Sequence, residues 1–179
     1  DKTKKIKTQL DKNMTKQEEH FLNLLQSRLE DNLESYSHNF HLLPLDQFDN
    51  FILDYIDMAS GKSYFPLKTK KDYQNLISKT KQFLVLCDTA ICRMREGMNK
   101  KITWSQEIMS RCSKQFKEVV KSKVYLVEEN KIPTDLKKEY YDVMDKKFTK
   151  MIKKFAKFLD DEYIPKCHKN LGLKKVHTG

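Results

Sequence analysis

Apolar side chains recur along most of this chain at intervals of three or four residues, which is the spacing of one face of an α-helix. In the first such stretch the apolar positions are Phe21, Leu25, Leu29 and Leu33, and most residues between them are polar or charged. Residues 35–44 break the period and predict a loop. The pattern therefore predicts a helix before this break and further helices after it.

The second predicted helix is short. It begins near Asp46, whose side chain suits an N-cap, and it ends at Gly61, because glycine commonly follows the last turn of a helix. Its buried side is expected to comprise Phe48, Phe51, Ile52, Tyr55 and Ile56.

Two longer periodic stretches follow. Thr69 with Asp72 three residues later predicts a capping box at the start of a long helix that ends at Gly97. Thr103 is the predicted cap of the next helix. The apolar positions of that helix are Trp104, Ile108, Cys112, Phe116 and Val120.

The end of the chain predicts one more long helix. Residues 124–127 indicate either a short strand or the frayed end of the preceding helix, and the last helix then runs from Pro133 to Pro165. Lysines face away from its apolar side. We therefore predict an all-α protein, an irregular bundle of about five helices, two of them long, in a single domain over residues 1–179 with residues 1–15 frayed or flexible.

Charge and composition narrow the classes of function. The formal net charge is +10, and the whole excess of lysine and arginine lies in residues 61–179. The lysines are interspersed with acids, and only four arginines are present. Arginine is the preferred residue for binding phosphates and nucleic-acid bases. The excess positive charge is therefore better interpreted as solvated lysine faces than as a site for nucleic acid or an anionic membrane. No apolar run approaches the roughly 20 residues of a membrane span, and the first residues lack the apolar segment of a signal peptide.

The four cysteines form no C-x-x-C pair and match no zinc motif. We interpret them as reduced, small apolar core residues. Unpaired cysteines together with the missing signal segment favour a cytoplasmic location.

Two pairs of residues resemble a metal site and a nucleophilic pair, but neither fits the requirements of such a site. His38 and His41, near Asp46, have the spacing of a metal pair, but they lie in a predicted loop without a third ligand at a known spacing. Cys167 and His168 are adjacent, so their side chains would diverge and would not form a nucleophilic pair. The acidic residues 160–162 are expected to pair with Lys157 or Lys166. No phosphate-binding or catalytic motif is present.

Several short runs resemble a known family. They are residues 43–47, 65–69 and 71–73, the run Asp88-Thr-Ala-Ile91, the run Met94-Arg-Glu-Gly97, and residues 102–103, 162–166 and 171–173. From about Phe40 to the C-terminus the chain is similar to the N-terminal half of the domain-of-unknown-function family numbered 885, whose members are zincin-like metallopeptidase relatives.

This resemblance implies a helical part of a metal-dependent hydrolase that forms a scaffold and one wall of a groove for a peptide-like substrate. The family's H-E-x-x-H zinc motif lies downstream of Gly179, so zinc would be present only with that downstream half, and no residue of this chain is assigned as a zinc ligand or catalytic group. The family tends to have arginine where His168 stands. Arg95 and His168 are the candidate substrate-binding residues, Arg95 because its guanidinium can bind a carboxylate with two hydrogen bonds.

Two alternatives stay open at this point. The chain could be a stand-alone helical module that binds another protein, or a basic binder of nucleic acid or anionic membrane, which we rank last. The resemblance itself makes the downstream catalytic half, or another chain, the expected partner.

Overall fold

The computed structural model describes residues 15–63 and 65–169 of the 179-residue chain. Its α-helices are α1 (Lys16–Ser37), α2 (Phe51–Ala59), α3 (Lys70–Asn99), α4 (Gln106–Ser122), α5 (Lys137–Tyr141) and α6 (Thr149–Phe158). Within the described ranges no strand forms, and the nearest approach to a sheet is an isolated bridge between Ser105 and His168. The predicted all-α class is confirmed. The expected fraying of residues 1–15 falls, except for Thr15, outside the described residues.

The last predicted helix is one continuous rod over residues 134–166 that changes its winding. Helices α5 and α6 are separated by a π-helical segment, Asp142–Phe148, and a second π-helical segment, Leu159–Tyr163, follows α6. Short 3₁₀ turns, Thr134–Leu136 and Ile164–Lys166, form its two ends. Pro165 lies in the final turn, in agreement with its predicted role as the end of the helix.

The spacing of the apolar residues is compatible with this mixed winding. Tyr140, Met144 and Phe148 recur at every fourth residue, as do Phe155, Leu159 and Tyr163. An α-helix has 3.6 residues per turn, so such a stripe would rotate by about 40° per step away from the core. A π-helical turn contains more residues than an α-helical turn, so a combination of the two reduces this rotation, and all six side chains are buried.

The described residues belong to two compact units, residues 1–41 and 42–179. In the first unit, α1 begins with a capping box in which Thr15 and Glu18 each accept a hydrogen bond from the other's backbone N–H. The helix itself was predicted, but no residue of α1 is buried. Most of its apolar side chains are exposed, including Phe21 at 65% and Leu33 at 72%. The single-domain interpretation stays a prediction.

The core of the second unit is built around aromatic rings from α2, α3 and the rod. The rings of Tyr55 and Phe83 stack with centroids 3.8 Å apart, and Phe148 packs against both. Tyr125 meets Phe148 edge-on at 5.1 Å. Such contacts add to the free energy of burying the rings themselves, so this cluster fixes α2 and α3 against the rod.

The start of α2 differs from the prediction. Asn50, not Asp46, is its N-cap, and its side chain accepts from the N–H groups of Ile52 and Leu53. Asp46 instead accepts from the N–H groups of Phe48 and Asp49 in a preceding turn. The predicted cap and the predicted burial of Phe48, which is 87% exposed, are therefore wrong. A side chain that caps a turn cannot at the same time cap the helix five residues later.

The ends of α3 and α4 follow the prediction in part. The Thr69–Asp72 capping box is present. Gly97 lies within the last turn of α3, which ends at Asn99. The cap of α4 is Ser105 rather than the predicted Thr103. Helix α4 ends at Ser122, and its C-cap Lys123 has the left-handed conformation. Residues 124–127 form a turn instead of a strand or a helix end.

Three of the four cysteines are buried, as expected of small core residues, and all four are free thiols. Cys92 is exposed, so its predicted burial is wrong. None of the described helices combines the length and the apolar composition needed to cross a bilayer.

Candidate functional site

A shallow groove runs between α3 and the C-terminal rod and contains Arg95, the first of the two predicted substrate-binding residues. Its volume is about 430 Å³. Ile91 and Phe158 form its apolar base, and both are almost fully buried. The remaining lining residues are charged: Arg95, Lys150, Lys153, Lys154, Lys157, Asp161 and Glu162. We call this feature the α3–rod groove.

Arg95 is fixed in the groove by Glu162. Its Nε donates to Glu162 Oε2 at 2.8 Å, and its Nη2 donates to Glu162 Oε1 at 2.7 Å. The guanidinium carbon lies 5.2 Å from the centroid of the Phe158 ring. A planar guanidinium suits both contacts, since it can bind a carboxylate with two parallel hydrogen bonds and also lie over an aromatic face.

This pair sets the charge state of both partners. Hydrogen bonds from Arg95 lower the pKa of the Glu162 carboxyl below its ordinary value, and the same bonds raise the pKa of Arg95. Arg95 was expected to bind the carboxylate of a substrate, but two of its donors already hold a carboxylate of its own chain. A substrate would have to compete with Glu162 or use the remaining guanidinium N–H groups.

Much of the lysine charge in the groove is balanced within the chain. Lys154 pairs with Asp88 at 2.6 Å, and Lys157 pairs with Asp161. Among the described residues Lys150 and Lys153 have no ion-pair partner. The groove therefore combines a fixed arginine, an apolar floor and two uncompensated ammonium groups.

His168, the second predicted residue, lies at the start of α4. Its backbone carbonyl accepts a hydrogen bond from Gln106 N at 2.9 Å. Both ring nitrogens are buried and have no hydrogen-bond partner. No hydrogen bond or ion pair in the described part of the chain joins His168 to Arg95, and His168 does not line the groove. The structure thus places the two candidates in different surroundings.

Comparison with known families places the chain in one of them. A family model described as a bacterial protein of unknown function (DUF885) matches residues 1–175. The chain belongs to the DUF885 family. No curated protein and no solved structure matches it significantly. The DUF885 match begins well before Phe40, where the resemblance in the sequence begins, and so includes α1.

The adjacent Cys167 and His168 do not form a nucleophilic pair in this DUF885 protein. Cys167 Sγ donates to the carbonyl of Tyr163 at 3.3 Å. Burial raises the pKa of the Cys167 thiol to about 12, so the thiol stays protonated near neutral pH, and the nucleophilic form is the thiolate. The thiol and the imidazole therefore have separate surroundings, as expected of adjacent residues.

His38 and His41, the two histidines of the predicted loop, also contact different partners. His38 Nε2 lies 3.9 Å from Glu34, and the His41 ring stacks on Tyr36 with centroids 3.9 Å apart. Within the part of the chain that the structure describes, no three His, Cys, Asp or Glu side chains are grouped closely enough to hold a metal ion.

Sequence reasoning did not identify Glu162 as the partner of Arg95. The acidic residues 160–162 were expected to pair with nearby lysines, and the Lys157–Asp161 pair confirms part of that expectation. Asp160 pairs instead with Lys117 and accepts from Ser113, both on α4. Arg95 and Glu162 are 67 positions apart, and no local pattern in the sequence predicts a contact at such a distance.

Proposed function

We propose that this DUF885 protein is the non-catalytic helical portion of a zincin-like, metal-dependent hydrolase, in which it provides a scaffold and one wall of the substrate groove. Support comes from the family membership, from the resemblance of its short runs to zincin-like relatives, and from the all-α fold. In this proposal the metal and the catalytic groups are supplied by a separate H-E-x-x-H half.

The observation that carries the proposal is the α3–rod groove. Its floor is apolar at Ile91 and Phe158, and its basic side chains could hold the backbone carbonyls or acidic groups of a peptide-like substrate. The Arg95–Glu162 pair joins α3 to the rod across the groove. A wall that is fixed in this way suits substrate positioning, because a catalytic site needs its substrate held in a narrow range of orientations.

The proposal is tested on the purified chain by metal analysis and a peptidase assay. After incubation with Zn²⁺ and desalting, we expect well below one zinc per chain and no turnover of a mixed peptide library. The matched control is the H38A/H41A variant, because any weak zinc retained by these two histidines should be lost with them. Tight binding of one zinc per chain, or turnover above the blank, would contradict a non-catalytic role.

A second candidate function, a stand-alone module that binds another protein, is favoured by α1. Six large apolar side chains of this helix are 39–72% exposed: Phe21, Leu24, Leu25, Leu29, Leu33 and Tyr36. Contiguous apolar surface of this kind commonly marks an interaction site. The acidic excess of α1, with Glu18, Glu19, Glu30, Asp31 and Glu34 against Lys16 and Arg28, favours a basic partner.

This candidate predicts a folded, soluble chain that captures one defined partner in a pull-down. The L25S/L33S variant, which removes apolar surface from α1 alone, should lose the partner while its circular dichroism stays helical. Concentration-dependent aggregation of the wild-type chain without a defined partner, relieved by the same two substitutions, would instead favour the groove-wall proposal, in which α1 is covered by the second half.

A further inference from the structure

A second pocket lies away from the α3–rod groove, between the end of α2 and the start of α3. Its volume is about 340 Å³, within the range of small-molecule sites. Met58, Pro66, Leu67 and Leu76 supply apolar walls, and Phe65 adds an aromatic face that is 58% exposed. An apolar group could therefore be removed from water here by entering a concave surface.

The charged groups around this pocket leave a single net positive charge. Lys68 and Lys79 line it, and neither forms an ion pair with any described residue. Lys79 Nζ lies 5.5 Å from the centroid of the Phe65 ring, so its ammonium is directed over the apolar wall. Asp72 is the only acid in the lining, and it balances one of the two lysines.

One carboxylate oxygen of Asp72 is bound by the backbone. Its Oδ2 accepts from the N–H groups of Lys68 at 3.1 Å and Thr69 at 2.8 Å. These bonds lower the pKa of the Asp72 carboxyl, so it remains ionised and bound to the backbone. The same bonds fix the chain at Lys68 beside the pocket, and this wall is therefore already formed without a ligand.

We propose that this pocket binds an apolar carboxylate: an aromatic or aliphatic group that enters between Phe65 and Leu76, with its carboxylate between Lys68 and Lys79. A single negative charge matches the net charge of the site, and a compact ammonium is a suitable partner for it. The carboxylate could belong to a free acid or to the C-terminus of a peptide that ends in an apolar residue. The proposal does not depend on the groove-wall function.

The experiment is a binding titration of the whole chain, followed by ligand-observed NMR, with 3-phenylpropionate as the probe. We expect saturable binding in the millimolar range or tighter, and at least fivefold weaker binding of 3-phenylpropionamide, which has the same shape without the charge. Acetate, which has the charge without the ring, should not bind. N-acetyl-Ala-Phe and its C-terminal amide distinguish a peptide end from a free acid: tighter binding of the dipeptide acid than of 3-phenylpropionate assigns the site to peptide ends.

Variants locate the site. K79Q and F65A should each weaken binding of 3-phenylpropionate at least fivefold, and both change exposed side chains that are not needed for the core. K71Q is the matched control, because Lys71 is on the same helix, has no ion-pair partner in the described ranges and does not line the pocket; its affinity should equal that of the wild type. No saturable binding at 10 mM, equal binding of the acid and the amide, or an equal loss in K71Q would overturn the proposal.

Discussion

At the scale of single residues, the buried hydroxyl of Thr80 joins α2 to α3. Thr80 is fully buried, and its Oγ1 donates to the carbonyl of Leu76 at 2.7 Å. Since this uses its one hydrogen, the 2.7 Å contact with Tyr55 must be a hydrogen bond donated by the tyrosine. Burial raises the pKa of Tyr55 to about 12, so the tyrosine keeps this hydrogen at physiological pH.

We predict that T80V lowers the free energy of unfolding by about 1–3 kcal/mol, because it leaves the Tyr55 hydroxyl buried without an acceptor. Chemical denaturation followed by the fluorescence of Trp104 measures the loss. The control is Y55F/T80V, which removes both hydroxyl groups and should recover most of the stability. If the double variant is as unstable as the sum of the two single variants, the hydrogen bond is not the cause.

The Arg95–Glu162 pair predicts a pH dependence. The pKa of Glu162 is lower in the folded chain than its ordinary value of 4.5. Its contribution to stability is therefore fully present above pH 4.5 and is lost as the pH falls through the folded pKa. E162Q should reduce the loss of thermal stability below pH 4.5. At pH 7 its melting temperature should fall by about 2 °C or less, because both side chains are about half exposed.

R95Q is the matched test for the same pair, because it removes the other partner and should reduce the acid-dependent loss to the same extent. The double variant R95Q/E162Q should behave like either single variant. An acid-dependent loss that is unchanged in all three variants would show that this carboxylate is not held by Arg95.

At the scale of helices, the sequence predicted the start of α3 correctly and failed at the starts of α2 and α4, where two suitable caps compete. Thr69 and Asp72 were identified because both members of the capping box are three residues apart. Asp46 and Thr103 were equally plausible caps by residue type, but Asn50 and Ser105 hold the positions. Which of two nearby polar side chains caps a helix depends on how the helix packs, and local sequence does not contain that information.

The two capping boxes allow a comparison of packed and exposed helices. T69A should lower the free energy of unfolding by about 1 kcal/mol, because α3 is packed in the core of the second unit. T15A removes the equivalent cap of α1, which has no buried residue, and should leave the unfolding transition seen by Trp104 unchanged. Equal shifts in the two variants would contradict this difference.

Gly97 is closely packed at the end of α3, so a side chain added there should destabilise the fold. A Cβ at this position would lie 2.6 Å from the carbonyl oxygen of Ile102, so the backbone would have to move. We expect G97A to lower the free energy of unfolding by about 1–3 kcal/mol, although alanine is the better helix former. S78A, at an exposed position of α3, is the control and should change stability by less than about 0.5 kcal/mol. A more stable G97A would show that α3 does not approach Ile102 so closely.

At the scale of the whole molecule, the spacing of apolar residues predicted the all-α fold class. It did not predict which of the apolar helix faces are buried. The stripe of α1 has the same spacing as that of the C-terminal rod, yet one is exposed and the other is buried. The spacing of apolar residues indicates that one side of a helix is apolar, but it does not indicate which part of the protein covers that side. For the same reason the sequence named Arg95 and not its partner Glu162, which approaches only when the rod packs against α3.

The exposed apolar side of α1 and the groove beside Arg95 are both explained if a second, metal-bearing half completes the protein. The most direct measurement is to sequence the coding region downstream of the Gly179 codon. The account predicts an open reading frame that continues and encodes H-E-x-x-H. A stop codon directly after Gly179 would contradict the groove-wall function and leave the stand-alone interaction module as the better account.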